Sequence, residues 1–293
     1  MLRVLLYLWT QNMTSPHADD YDHALLLEVL KRYPSPTLDR VYNGAYWRTI
    51  QDGESLALVK VPETWQPEIV AGQGNPNADH VHKSIRYILN MEQPPPIKTT
   101  LTAYQEQLQP VAGLPLLRTQ TIFEALLMVI IEQHIAWRAA QRAQFVLCEW
   151  GGRYIDHDGQ RFYAYPTIQQ IAEADPDDLK ILKITHRRID YLIALAQQFL
   201  HNPPRITPDD SGYNNLLSLK GVGAWTATVV MARAFGIYET VPYADVAIQA
   251  AVNHYFLGKG GRASKATLET VFQPSGGGMA AQYLLMRWVL DMY

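Results

Sequence analysis

Three short pieces of the sequence carry residue types that could do chemistry together. Gly221-Val222-Gly223 stands before an apolar run, Ala224 to Phe235, that reads as a helix with Gly236 as its stop. Glycines take backbone conformations that side chains resist, and they let another backbone come close. The unpaired amides at the start of the following helix, with its dipole, suit an anion such as phosphate. A plain tight helix–helix turn is the alternative reading of the same glycines. Trp225, in the first turn of that helix, reads on its own as an ordinary core side chain. Asp245 follows twenty residues later and precedes the apolar helical run VAIQAAVNHYFL. A carboxylate at a helix N-terminus is held ionised. By its position alone it could be no more than a helix cap.

The elements that must position these residues can be read along 293 residues that are 48% hydrophobic, enough for two domains or one large one. Asp22 begins an amphipathic helix over residues 22–33. Tyr46 to Ile50 and Leu56 to Val61 read as strands joined by a turn at Asp52-Gly53, with a further strand over Glu68 to Ala71. A loop over Gly72 to Pro76 and a helix over Asp79 to Asn90 follow. Pro94-Pro95-Pro96 marks a stiff linker. From Leu101 the periodicity is helical almost throughout. Thr121-Ile122-Phe123-Glu124 has the form of a capping box, and the helix it starts is too apolar for the surface. Residues 166–175, Asp178 to Leu182 and Arg187 to Leu200 read as the next helices. Lys265 to Val271 and Met279 to Met292 read as the last ones.

Composition narrows the function. The lone cysteine, Cys148, excludes a disulfide framework and an all-cysteine metal or iron–sulfur site. The opening MLRVLLYLW is too short to span a bilayer and reads as a first strand or a start-site extension. No membrane role and a cytoplasmic location are therefore expected. The net charge of −3 does not advertise nucleic acid, so any such contact must come from local patches. Candidates are Arg138 and Arg142, the His186-Arg187-Arg188 cluster, Arg233, and Lys259, Arg262 and Lys265.

The run Leu219-Lys220-Gly221-Val222-Gly223-Ala224-Trp225-Thr226-Ala227 resembles the hairpin of the helix-hairpin-helix DNA glycosylases. Pro242-Tyr243-Ala244-Asp245 resembles that family's Pro-x-x-Asp, whose aspartate is catalytic. Tryptophan at 225, in place of the Schiff-base lysine of the strand-cleaving members, is similar to the DNA-3-methyladenine glycosylase II group. Phe123 to Gln133 resembles the family's first long helix. Leu182-Lys183-Ile184-Thr185 departs from the usual Leu-Gly-Leu-Ser, and Pro274-Ser275-Gly276-Gly277-Gly278 from Pro-Trp-Arg-Ser.

The resemblance implies an α+β chain: an N-terminal domain with a small antiparallel sheet over residues 1–98, and a helical body over 99–293 with its hairpin at 216–236. It implies a monofunctional enzyme that takes alkylated purines out of double-stranded DNA, with Asp245 catalytic. Trp225 would face the base, with Val229 and Leu285 at the other pocket positions. Gly221, Gly223, Thr226, Gln133 and His134 would meet DNA, His134 standing where the family places its wedge. No cofactor is implied for catalysis. A monovalent cation, Na+ or K+, would sit on the carbonyls of Leu217, Leu219 and Val222. A monomer is expected. The rival is a non-catalytic helix-hairpin-helix protein that only clamps phosphates, with Asp245 as a cap; an unrelated helical scaffold would bury both glycines instead.

Overall fold

The computed structural model describes residues 17–33 and 38–293, so the opening apolar run lies outside the described residues. Helix α1, His23–Lys31, starts where Asp22 accepts the Leu25 amide at 2.9 Å. Four antiparallel strands follow in sequential order: β1 Arg40–Tyr42, β2 Ala45–Asp52, β3 Ser55–Val61 and β4 Glu68–Gln73. The β2–β3 turn falls one residue later than the sequence suggests. Asp52 pairs with Ser55, and Gly53, at φ +58°, takes the left-handed position that favours glycine. β4 also runs on to Gln73, through a register shift opposite Leu58 and Val59. Helix α2, Ala78–Leu89, is capped by Asn77 and packs on the sheet. Pro96–Thr99 and Gln105–Leu108 are single helical turns.

The body holds α3 Ile122–Glu132, α4 Trp137–Gly151, α5 Ile168–Ala172, α6 His186–His201, α7 Asp210–Leu217, α8 Ala224–Phe235, α9 Val246–Leu257, α10 Lys265–Val271 and α11 Gly277–Met292. The expectation of helix almost throughout needs one correction. Between α4 and α5 lies an antiparallel hairpin, β5 Tyr154–His157 and β6 Gln160–Tyr163. Asp158 and Gly159, both at positive φ, make its two-residue turn. Ile155 and Phe162 pack on Trp47, Leu56 and Leu58, covering one face of the sheet.

One apolar cluster joins α1, α2 and the sheet to α9 and α11, and contains Ile85, Leu101, Ile248 and Leu284. Another gathers α3, α4, α6 and α8 around Leu126, Leu147, Leu192 and Val230. Helix α3 is buried on nearly every side, as its composition demands.

The capping box at Thr121 is only half formed. Thr121 accepts the Glu124 amide at 3.1 Å, but the Glu124 carboxylate turns into the interior to meet Arg48. Arg48 also donates to Asp39 at 2.7 Å and is 1% exposed. Burial opposes its charge, and the two carboxylates more than offset that, raising its pKa well above the ordinary value. Burial also pushes the Glu124 carboxyl up, against the pull of Arg48. This charged knot fastens the sheet to the central helix. A complete box occurs instead at Thr167 and Gln170, which open α5.

Candidate active site

Helix α7 ends at Leu217, and the chain turns through Ser218 to Gly223 before α8. Gly221 sits at φ +85°, and a Cβ there would lie 2.4 Å from the Tyr191 ring, so glycine is required twice over. Gly223 differs. It is exposed, at φ −100°, with open space where a side chain would go. No side chain caps α8, so its leading amides have no side-chain acceptor at the positive end of the helix dipole. The boundaries of α8 match the sequence reading at both ends, with Gly236 closing it at φ +70°.

Gln133 pins this turn from behind. Its amide donates to the Gly221 carbonyl at 2.9 Å and to the Thr226 hydroxyl at 3.0 Å. The next residue, His134, is exposed and sits at φ +53°, an uncommon backbone for a residue with a Cβ. The Gln133 bonds therefore fix the base of the α3–α4 turn against the hairpin, while the imidazole stands out into solvent.

Asp245 ends the turn after Pro242 and opens α9. Its Oδ1 accepts the amides of Ala247 and Ile248 at 2.9 and 3.1 Å. Its Oδ2 accepts the Trp225 indole N–H at 3.1 Å. The cap is thus real, yet half of the carboxylate is committed to a residue of the other helix. Trp225 and Asp245 are both half-buried. Val229, one turn along α8 from Trp225, is buried against α3, whereas Leu285 is half-buried in the other cluster. Val246, next to Asp245 in the chain, is an apolar side chain left 52% exposed. Sequence reasoning did not single out Val246, since periodicity assigns apolar positions to a core.

It also missed Trp137, the first residue of α4, whose ring meets Tyr33 at 4.9 Å and Tyr293 at 4.6 Å. The basic candidates divide. Arg188 is buried and donates to the Ile131 carbonyl and the Thr185 hydroxyl. Arg233 forms a two-pronged pair with Glu132 at 2.8 Å. Neither is free for a phosphate. Arg138, Arg142, Arg187, Lys259, Arg262 and Lys265 are exposed. The Leu219 carbonyl accepts the Val222 amide at 3.1 Å. Among the described residues no group of His, Cys, Asp or Glu has the arrangement of a metal site, and no helix is long and apolar enough to cross a membrane.

Residues 127–274 match the family model for the HhH-GPD superfamily of base excision DNA repair proteins. The chain belongs to this superfamily. Its matched region runs from α3 through the hairpin and Asp245 to α10, which is the part built around the Trp225–Asp245 contact. Over 144 residues it is 28% identical to a DNA-3-methyladenine glycosylase of Bacillus subtilis, covering 46% of either chain. The alignment thus spans about half the length of that curated relative. The fold is shared with a 3-methyladenine DNA glycosylase from Archaeoglobus fulgidus (TM-score 0.73, 19% identity, 92% of this chain and 95% of the other). It is shared also with the Clostridium acetobutylicum 8-oxoguanine glycosylase/lyase in complex with double-stranded DNA (TM-score 0.68, 18% identity, 92% and 91%).

Proposed function

We propose that this HhH-GPD protein is a monofunctional DNA glycosylase that excises alkylated purines from double-stranded DNA as a monomer. The observation that carries the reading is the Trp225–Asp245 hydrogen bond, which ties an aromatic side chain and a helix-capped carboxylate into one site. A base inside the duplex is inaccessible, so the damaged nucleotide must leave the stack. The amides of Gly221, Gly223 and Thr226 hold a neighbouring backbone phosphate, and His134 enters the gap left behind. A purine alkylated at N3 or N7 carries positive charge, which favours both its stacking on the Trp225 indole and its departure. Val229 backs that indole, and Leu285 lines the far side.

As the glycosidic bond stretches, positive charge builds on the sugar. Asp245 faces it with a carboxylate whose Oδ1 is fixed by two amides and whose Oδ2 is oriented by the indole. Such a preorganised charge stabilises the cation and orients or deprotonates the attacking water. With tryptophan at position 225, no lysine amine stands there to form a Schiff base and cut the strand. The carbonyls of Leu217, at the end of α7, and of Leu219 and Val222, in the turn after it, are neutral, hard oxygen donors that would suit a monovalent cation rather than a transition metal. Such an ion would add positive charge beside the phosphate.

The rival, a phosphate clamp without catalysis, draws on the fact that Asp245 does cap α9. A cap needs only Oδ1, and the bond from Trp225 to Oδ2 is left without a purpose on that view. Incubation with methylated duplex DNA, followed by mass spectrometry of released bases, tests the proposal. Free methylpurine is the expected product; intact DNA under conditions of tight binding would favour the clamp.

A further inference from the structure

Arg187 stands beside the hairpin, on the ring that Gly221 packs against. It is exposed in the first turn of α6, and its Nε donates to the hydroxyl of Tyr191, one turn along. Its guanidinium carbon lies 5.4 Å from the centre of the same ring. That ring is the surface against which Gly221 packs, since a Cβ on Gly221 would stand 2.4 Å from its Cδ2. Tyr191 is therefore a shared platform, with the left-handed glycine of the hairpin on one part of it and a guanidinium held by its hydroxyl.

Among the described residues no carboxylate forms an ion pair with Arg187, whereas Arg48 holds two, Arg233 holds one and Arg188 is turned inward onto a carbonyl. Its charge is uncompensated, and its remaining N–H donors have a fork geometry suited to phosphate oxygens. Lys220, next to Gly221, is exposed as well. In a chain of net charge −3, a cation placed beside the hairpin is one local source of the attraction that DNA binding needs.

We infer that Arg187, held on the Tyr191 ring beneath Gly221, donates to the same stretch of DNA backbone that the hairpin amides grip. This rests on the proposed DNA-binding role of the hairpin. Tyr191 is then a positioning residue: it sets the height of the glycine turn and the direction of the guanidinium together.

The test measures affinity for an abasic-site duplex over a range of salt concentrations, for the parent protein, Arg187→Ala, Tyr191→Phe and Gly223→Val. One lost phosphate contact lowers the slope of log affinity against log salt by about 0.9, whatever the DNA sequence. Arg187→Ala is expected to show that drop, with affinity at low salt down roughly threefold or more. Tyr191→Phe keeps the ring under Gly221 but frees the guanidinium, so it should give a smaller loss in the same direction. An unchanged salt slope in Arg187→Ala overturns the inference while a weakened Gly223→Val leaves the hairpin role standing. If Gly223→Val binds like the parent, the hairpin leaves the interface and the inference falls with it. A lowered thermal midpoint in Arg187→Ala with an unchanged slope would assign the arginine to fold stability alone and also overturn it.

Discussion

Trp225 and Asp245, twenty residues apart and on different helices, share a hydrogen bond at 3.1 Å that leaves the carboxylate with no free rotation. Its other oxygen is already fixed by two amides of α9. A charge held this way need not reorganise as the reaction proceeds, which is where electrostatic catalysis gains most.

Trp225→Phe removes the N–H donor and keeps an aromatic ring. Hydrogen bonds to charged groups are worth about 1.5–3 kcal/mol. Base release in single turnover should therefore slow by roughly tenfold to a hundredfold. Affinity for abasic-site DNA should change little, because the hairpin is untouched. An unaltered excision rate would show that the indole N–H does not set the carboxylate's orientation.

The two hairpin glycines should separate. Gly221→Ala forces a Cβ into the Tyr191 ring at a left-handed position, so stability measured by denaturant should fall by about 1–3 kcal/mol. Gly223→Val meets open space, and its cost should stay within about 1 kcal/mol. Its loss should appear in DNA affinity instead, equally across sequences.

Arg48 offers a test of the scaffold. Arg48→Met leaves Glu124 buried and unpaired, at a cost of about 3–5 kcal/mol in urea unfolding. The double replacement Arg48→Met, Glu124→Leu should recover much of that loss. Equal destabilisation by the single and the double variant would mean that the knot is not what fastens the sheet to α3.

The lyase question has its own readout. Borohydride added during reaction with a methylated duplex should trap no protein–DNA adduct, and strands should break only on later alkali or heat. A trapped adduct would mean that another amine attacks the sugar.

The parts legible in the sequence were those written in local signals. Gly223 and Gly236 bracket α8, and an aspartate before an apolar run marks the start of α9, so both ends of the hydrogen bond could be placed on helices beforehand. The bond itself was not legible, because spacing does not say that the indole edge turns toward Oδ2. The strands β5 and β6 were hidden by their length, four residues each within a helical stretch, although Asp158-Gly159 between alternating residues is a hairpin signal. Glu124 was misread because its partner, Arg48, lies 76 residues away. The same blindness applies to Arg188 and Arg233. A basic residue in sequence looks alike whether water, a carbonyl or Glu132 awaits it.

The most direct measurement is single-turnover release of methylated purine by Asp245→Asn, alongside its affinity for the same duplex. Asparagine still caps a helix, so the fold should persist. The negative charge that meets the sugar cation is gone, and so is the base. Excision should fall by on the order of a hundredfold to ten-thousandfold, with DNA binding retained or tightened. Excision at the parental rate by a folded Asp245→Asn protein would contradict the account and leave Asp245 as a helix cap alone.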